Sequence, residues 1–387
     1  MKLELKCKAC GHQEPVYIQY KCPKCGGIQE VSYEWTEETE AEIKSWNNND
    51  DNSFWSYRRL YPIQPASIPV SLGEGNTPIL PLKRLGERLG LSDWELKNEA
   101  VSPSGSFKDR PMAVASTFAI ERHISTLVTA STGNTGVSAS MYAARAGLRC
   151  KIYVPATTSR EKLALIKYFG AEIVTIEGNF SEAYLLAKKD AADNDWFNVT
   201  STFMNPIALE GNKSVAYELF RQKKTVPDWV IVPIGAGPLL VAVYKGFKEL
   251  KRAGVITALP KMAGVQAAEV APIVQAFQEG ASEVTAWKRS FQTAAGGIAD
   301  PLLTYPQDGT CTLQTIRESK GCALSISEEV MLYHRKVLAE TEGIFLETAS
   351  VTAISAAVEL KEKGFADADD DIVSVGTGNG LKDMSSL

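Results

Sequence analysis

Residues 125–147 read STLVTASTGNTGVSASMYAARAG. The first six, STLVTA, are β-branched and apolar, and they run straight into a small-residue turn; NTGVSASMYAARAG then follows with the alanine content and spacing of a helix. The same succession recurs, with KIYVPA before SREKLALIKYFG, EIVTIEG before SEAYLLAKKDAAD, and WVIVPIG before PLLVAVYKGFKEL. Strand–helix units in this order predict an α/β fold with parallel sheets, whose ligands sit at the carboxyl ends of the strands.

Glycine-rich loops fall at those ends. Ser131-Thr132-Gly133-Asn134-Thr135-Gly136, Gly235-Ala236-Gly237-Pro238-Leu239 and Gly376-Thr377-Gly378-Asn379-Gly380 each follow an expected strand and open an expected helix. Such a turn presents unpaired N–H groups and the positive end of a helix dipole, so it is suited to anions. One loop of this kind is more often only a turn. Together they point to a ligand with more than one anionic group. Lys108 stands in a further permissive loop, SPSGSFKDRP. Its amine could bind phosphate as a point charge, form an imine with a carbonyl cofactor, or simply be solvated.

The 387-residue chain is 44% hydrophobic and 22% charged, enough for a substantial core, and its net charge of -5 gives no global field for nucleic acid or anionic lipid. No apolar run approaches the length of a membrane span, and MKLELKCKAC lacks the apolar core of a signal peptide, so a cytoplasmic protein is expected. Cys7, Cys10, Cys22 and Cys25 form two C-x2-C pairs, CKACGH and CPKCGG, with glycine after each: the pattern of a structural zinc ribbon. Cys150, Cys311 and Cys322 stand singly and are expected to pack as small hydrophobes. VYIQY and VSYEW are expected as ribbon strands, and the Asn- and Asp-rich segment after them as an exposed connection.

The motifs SLGEGNTPIL, KNEAVSPSGSFKDRPM, ASTGNTGVSASMYAARAG and VGTGNGLKD, in this order, resemble the threonine-synthase group of pyridoxal-phosphate enzymes, of the tryptophan-synthase-β fold type. The resemblance covers the chain from about residue 70 to its end. It implies pyridoxal 5'-phosphate held covalently by Lys108, which also takes the α-proton of an amino-acid substrate. It further implies Asn134 on the cofactor's 3-oxygen and Gly235, Ala236, Gly237 and Leu239 around its phosphate. Thr377 would face the ring nitrogen, and Ser131, Thr132, Gly133 and Thr135 the substrate carboxylate. Asp109 and Arg110 are expected to pair and fix the next helix, and Glu347 to lie near the cofactor or at a helix start.

The implied architecture is a zinc ribbon at 1–35, a large cofactor domain at 36–105 and 212–387, and a small substrate-side domain at 106–211, with the cofactor in the cleft between the last two. The activity the resemblance implies is that of a lyase in amino-acid biosynthesis, converting O-phosphohomoserine and water to threonine and phosphate; the partners implied are a small amino-acid substrate and, in relatives, a second copy of the chain. Three positions depart from the group. Ala208 and Gly297 stand where arginines suited to a phosphorylated substrate are usual, which opens β-elimination or β-replacement on a serine- or threonine-like amino acid. Lys213, Lys162 or Arg160 could compensate. Pro238 removes an N–H donor from the phosphate loop. A remaining alternative makes the ribbon, with Lys2, Lys6, Lys8, Lys21 and Lys24, a nucleic-acid or protein-binding module.

Overall fold

The computed structural model describes residues 3–18, 20–46, 51–158, 160–178 and 180–383, without the side chains of residues 160–162. Strand β1 (Leu3–Cys7) pairs antiparallel with β2 (Gln13–Pro15) on one side and with β3 (Gln29–Tyr33) on the other. The expected strand at VYIQY is displaced: β2 precedes it and ends at Pro15, which suits an edge strand and cannot extend a ladder. VSYEW contributes its first three residues to β3.

Of the segment expected as an exposed connection, the Asn-rich run at 47–50 lies outside the described residues, and the residues on either side of it are structured. Glu37–Ser45 is a helix capped by the Thr36 side chain, which accepts from the Thr39 N–H. Its Ile43 is buried with Trp46, Phe54, Tyr57 and Tyr61, and Trp46 meets Tyr57 edge to face at 4.8 Å. These aromatic anchors outweigh the polar composition around them.

The chain next lays down β4 (Ile79–Pro81) and β5 (Trp94–Asn98), then four parallel strands, β6 (Thr126–Ala130), β7 (Arg149–Pro155), β8 (Glu172–Ile176) and β9 (Phe197–Asn198). It closes with β10 (Trp229–Pro233), β11 (Lys261–Ala267), β12 (Cys322–Ile326) and β13 (Ile372–Gly376). One sheet has the order β8-β7-β6-β9; the other has the order β12-β11-β10-β13-β5-β4, parallel except where β4 meets β5. β6, β10 and β13 are buried at every residue, as parallel strands covered on both faces must be. The helices Asn134–Ala146, Arg160–Tyr168, Phe180–Asp193 and Pro238–Arg252 follow β6, β7, β8 and β10, matching the four strand–helix units legible in the sequence.

The chain forms two compact units, one of residues through Asn76, Ser102–Ser104 and Lys108–Ser214, the other of Thr77–Val101, Gly105–Phe107 and the chain from Val215 onward. Residues 36–76, grouped by the sequence with the large domain, thus belong with the ribbon and the four-stranded sheet. Among the described residues no helix is long and apolar enough to cross a membrane.

Candidate active site

In the first unit, half-buried Lys108 occupies the position before the helix Asp109–Glu121, and its Nζ donates to Ser201 Oγ, just beyond β9. The fully buried Asp109 carboxylate accepts from the Ser104 N–H at 2.7 Å and the Ser138 hydroxyl at 2.6 Å. Ser138 lies on the helix Asn134–Ala146, so Asp109 ties the Lys108 loop to the element that begins at Asn134. Arg110 donates to Ser214 Oγ at 2.7 Å.

The loop after β6 is closed by Ser131, whose Oγ accepts from the Gly133 and Gly136 N–H groups at 3.2 and 3.1 Å. Asn134 is the first helical residue, half-buried, and Thr135 is buried behind it. From this same helix the Tyr142 hydroxyl donates to Glu74 Oε2 at 2.7 Å. Burial pushes that hydroxyl's pKa up, and the Asp109 and Glu74 carboxylates push it further, so it stays a neutral donor. Glu74, in SLGEGNTPIL, also accepts from the Leu72 N–H and Trp55 Nε1, which makes that motif a clamp on its own loop.

In the second unit the loop after β10 turns at Gly237, φ +91°, where an added Cβ would lie 2.9 Å from Thr312 Cβ and nearer still to its Oγ1 and Cγ2. Gln266 donates to the Gly235 carbonyl at 3.3 Å and Thr312 to the Ala236 carbonyl at 2.6 Å. A trans peptide points its N–H opposite its C=O. Holding these two carbonyls therefore aims the N–H groups of Ala236 and Gly237 away from Gln266 and Thr312, as an anion cradle requires. Pro238 begins the helix, where the missing N–H costs the helix nothing, and Ala236 and Leu239 are buried. Asp300 Cβ lies 3.1 Å from the place a Gly235 Cβ would take. Burial pushes the Asp300 carboxyl up to about 6, against the Leu302 N–H and Tyr305 hydroxyl that hold it.

The loop after β13 departs from expectation: it leads into a single 3-10 turn, Gly380–Lys382, and not into an α-helix, so no helix dipole supports it. It is fixed instead by hydrogen bonds. Ser350 Oγ meets Thr377 Oγ1 and accepts from the Gly378 N–H, each at 2.7 Å, while the Phe107 N–H donates to the Thr377 carbonyl at 3.1 Å. Phe107 immediately precedes Lys108 in the chain. Glu347 occupies the position before the helix Thr348–Glu362 and pairs with Lys382 at 3.7 Å.

Ser201, Ser350, Gln266 and Thr312 were not singled out by sequence reasoning. Ser350 alone carries a signal, as a buried hydroxyl on the alanine-rich helix TASVTAISAAVELKE. The small residues that replace expected arginines are also placed: Ala208 is buried in the turn Pro206–Leu209, and Gly297 would bring a Cβ 3.1 Å from Ala349 Cβ. Lys213 has partners of its own. Fully buried, it pairs with Glu210 at 2.7 Å and donates to the Leu60 carbonyl and the Tyr33 hydroxyl. The side chains of Lys162 and Arg160 lie outside the described residues.

The four cysteines of the ribbon meet, with every Sγ within 4.8 Å of the others. Cys7 and Cys25 are 3.5 Å apart and Cys10 and Cys22 3.7 Å, close to the edge of about 3.8 Å of a tetrahedron with metal–sulfur bonds of about 2.3 Å. Gly27 leaves room for this approach, since a Cβ there would lie 3.1 Å from Cys7 Sγ. Burial raises the Cys7 thiol, but the Cys10 and Ala9 N–H groups and the neighbouring sulfurs outweigh it and bring it down to about 7. At Cys25 the Gly27 N–H lowers the thiol, but hydrogen bonding with Cys10 and Cys7 pushes it up to about 12, so the sulfurs share their protons and one of them is set toward the thiolate. Cys150 and Cys322 are pushed up to about 12 by burial, as inert core thiols are.

The profile of a family described as "Pyridoxal-phosphate dependent enzyme" matches residues 70–378. The threonine synthase of Methanocaldococcus jannaschii is 37% identical over 381 residues, 98% of this chain and 92% of that protein. The threonine synthase of Methanosarcina acetivorans is 35% identical, covering 99% and 93%, and that of Mycobacterium bovis 36%, covering 85% and 88%. Among solved structures, threonine deaminase isoform 2 from Solanum lycopersicum aligns with a TM-score of 0.68 at 20% identity over 87% of this chain and 93% of that one. Maize serine racemase aligns with a TM-score of 0.67 at 18% identity, covering 79% and 88%. These last two share the fold.

Proposed function

Because this chain belongs to the pyridoxal-phosphate dependent enzymes, we propose that it is a threonine synthase, forming threonine and phosphate from O-phosphohomoserine and water. The observation that carries this reading is identity of 35 to 37% with threonine synthases along almost the whole chain, ribbon included. When bound, the cofactor supplies an aldehyde for an amine and a conjugated ring that takes up the electrons released at the α-carbon.

The remaining work falls to residues of the chain. Lys108 holds the cofactor and moves the α-proton on its Nζ, with Ser201 Oγ as the acceptor that orients that nitrogen. Asn134 donates to the ring's 3-oxygen. The N–H groups of the Gly235–Leu239 loop bind the phosphate, and the orientation of its tied carbonyls supports this. Thr377, fixed by Ser350, offers a hydroxyl to the ring nitrogen and leaves the ring neutral, which favours elimination over transamination. Ser131, Thr132, Gly133 and Thr135 orient the substrate carboxylate at the start of the helix Asn134–Ala146. The four cysteines hold a structural zinc. The protein acts in the cytoplasm.

A second reading keeps the cofactor and changes the substrate to a serine- or threonine-like amino acid undergoing β-elimination or β-replacement. It is favoured by Ala208, Gly297 and the burial of Lys213. The deciding assay compares phosphate and threonine formation from O-phosphohomoserine with ammonia and keto-acid release from a panel of amino acids. Efficient threonine formation rejects the second reading; keto-acid release without threonine rejects the first.

A further inference from the structure

We propose that Tyr20, in the ribbon, is a positioning residue for the Lys108 amine, acting through the edge strand β9 and Ser201. Tyr20 precedes Cys22 by two residues, and its hydroxyl leaves the ribbon: it accepts from the Asn198 N–H at 2.7 Å and donates to the Trp196 carbonyl at 3.4 Å. β9 is the outer strand of its sheet, paired with β6 on one side only. The outward polar groups of such a strand need a partner. Tyr20 supplies one.

From Asn198 the restraint runs forward along the chain. Asn198 Oδ1 accepts from the Thr200 N–H at 2.9 Å, and the Asn198 carbonyl accepts from Asn205 Nδ2 at 2.7 Å. Thr200 Oγ1 in turn accepts from the Ala130 N–H at 3.1 Å, at the end of β6. Asn198, Thr200, Thr202 and Asn205 are all buried, so the turn that carries Ser201 is held at both ends. Ser201 Oγ then takes the Lys108 Nζ hydrogen. Another ribbon tyrosine, Tyr33, goes elsewhere, to the Leu60 carbonyl at 2.6 Å and to Glu210. Tyr33 anchors the ribbon without reaching this turn, and it serves as the control.

This inference rests on the reading of Lys108 as the cofactor lysine. The test uses the holoenzyme of wild type, Tyr20→Phe, Ser201→Ala, the double variant and Tyr33→Phe. It records the pH midpoint of the visible band and hydrogen exchange at the Asn198 amide. Ser201 accepts from the nitrogen and so favours its protonated form. Ser201→Ala should lower the midpoint by about one pH unit, the worth of one hydrogen bond to a charged nitrogen. Tyr20→Phe should lower it by about half as much, speed Asn198 exchange roughly tenfold, and add nothing in the Ser201→Ala background. Tyr33→Phe should leave the midpoint in place even where it lowers Tm. A Tyr20→Phe midpoint equal to wild type, or a shift fully additive with Ser201→Ala, overturns the proposal. A wild-type protein with no visible band overturns the reading of Lys108 along with it.

Discussion

Replacing Gly237 with alanine perturbs the proposed phosphate loop at the point where its backbone is least forgiving. At φ +91° a Cβ costs about 1 to 2 kcal/mol through contact with its own backbone. The same Cβ would lie 2.9 Å from Thr312 Cβ, a distance that rotation of the Thr312 side chain cannot change. Rotation would also break the hydrogen bond from Thr312 Oγ1 to the Ala236 carbonyl at 2.6 Å. Overpacking of this kind adds about 1 to 3 kcal/mol, for a total of about 2 to 5 kcal/mol. Part of that strain can be relieved only by turning the loop, which misaims the N–H groups of Ala236 and Gly237. If half is relieved in this way, affinity for pyridoxal phosphate falls roughly 5- to 70-fold. The assay is titration of the apo-protein with pyridoxal phosphate and with pyridoxal, which lacks the phosphate; only the first should weaken by this factor. Thr312→Ala in the Gly237→Ala background should recover part of the affinity, because Cγ2 and Oγ1 go while Cβ and the backbone strain stay. Gly343→Ala is the control, at φ +69° with nothing within 4 Å, and should destabilise the fold without touching affinity. Unchanged affinity in Gly237→Ala, or equal losses for the two ligands, refutes the reasoning.

Other consequences can be measured directly. Lys213→Met removes the 2.7 Å ion pair of buried Glu210 and should cost about 3 to 5 kcal/mol in urea denaturation, with most of it recovered in Lys213→Met/Glu210→Leu; an unchanged midpoint removes the ion pair from the account. The Asp300 carboxyl, raised from an ordinary 3.8 to about 6, keeps its proton in the folded chain after the unfolded chain has lost it. Its contribution is present below about pH 4 and lost as pH rises through 6, about 3 kcal/mol in all, so the stability of Asp300→Asn relative to wild type should climb across that window. Parallel stability profiles would contradict this. Metal analysis should find one zinc per chain, and stripping it with a chelator should lower Tm and release the ribbon sheet; a metal-free protein of unchanged Tm would show the cysteines to be structural thiols only.

The parts of this fold that can be read in the sequence are those whose burial leaves a periodic trace. WVIVP and TLVTA are covered on both faces and so read as continuous apolar runs, each followed by its helix. β5 hides better: its Lys97 is fully buried against Glu218 at 2.8 Å, a charge in a strand interior that composition assigns to the surface. β9, two residues long, has no period to detect. In VYIQY, alternation misled because Tyr20 reaches out to Asn198 instead of standing in a ladder. The site divides in the same way. Lys108 and the glycines declare themselves through local chemistry, since Gly237 needs a positive φ that other residues avoid. Ser201, Ser350, Gln266 and Thr312 act through contacts across long stretches of chain, and a serine or glutamine that fixes a loop looks like any other until the loop is in place.

The most direct measurement is borohydride reduction of the purified protein with pyridoxal phosphate, followed by peptide mapping by mass spectrometry. The account predicts a single pyridoxyl group on the peptide carrying Lys108, with loss of the visible band. A label on another lysine, or a colourless protein that takes up no label, would contradict it.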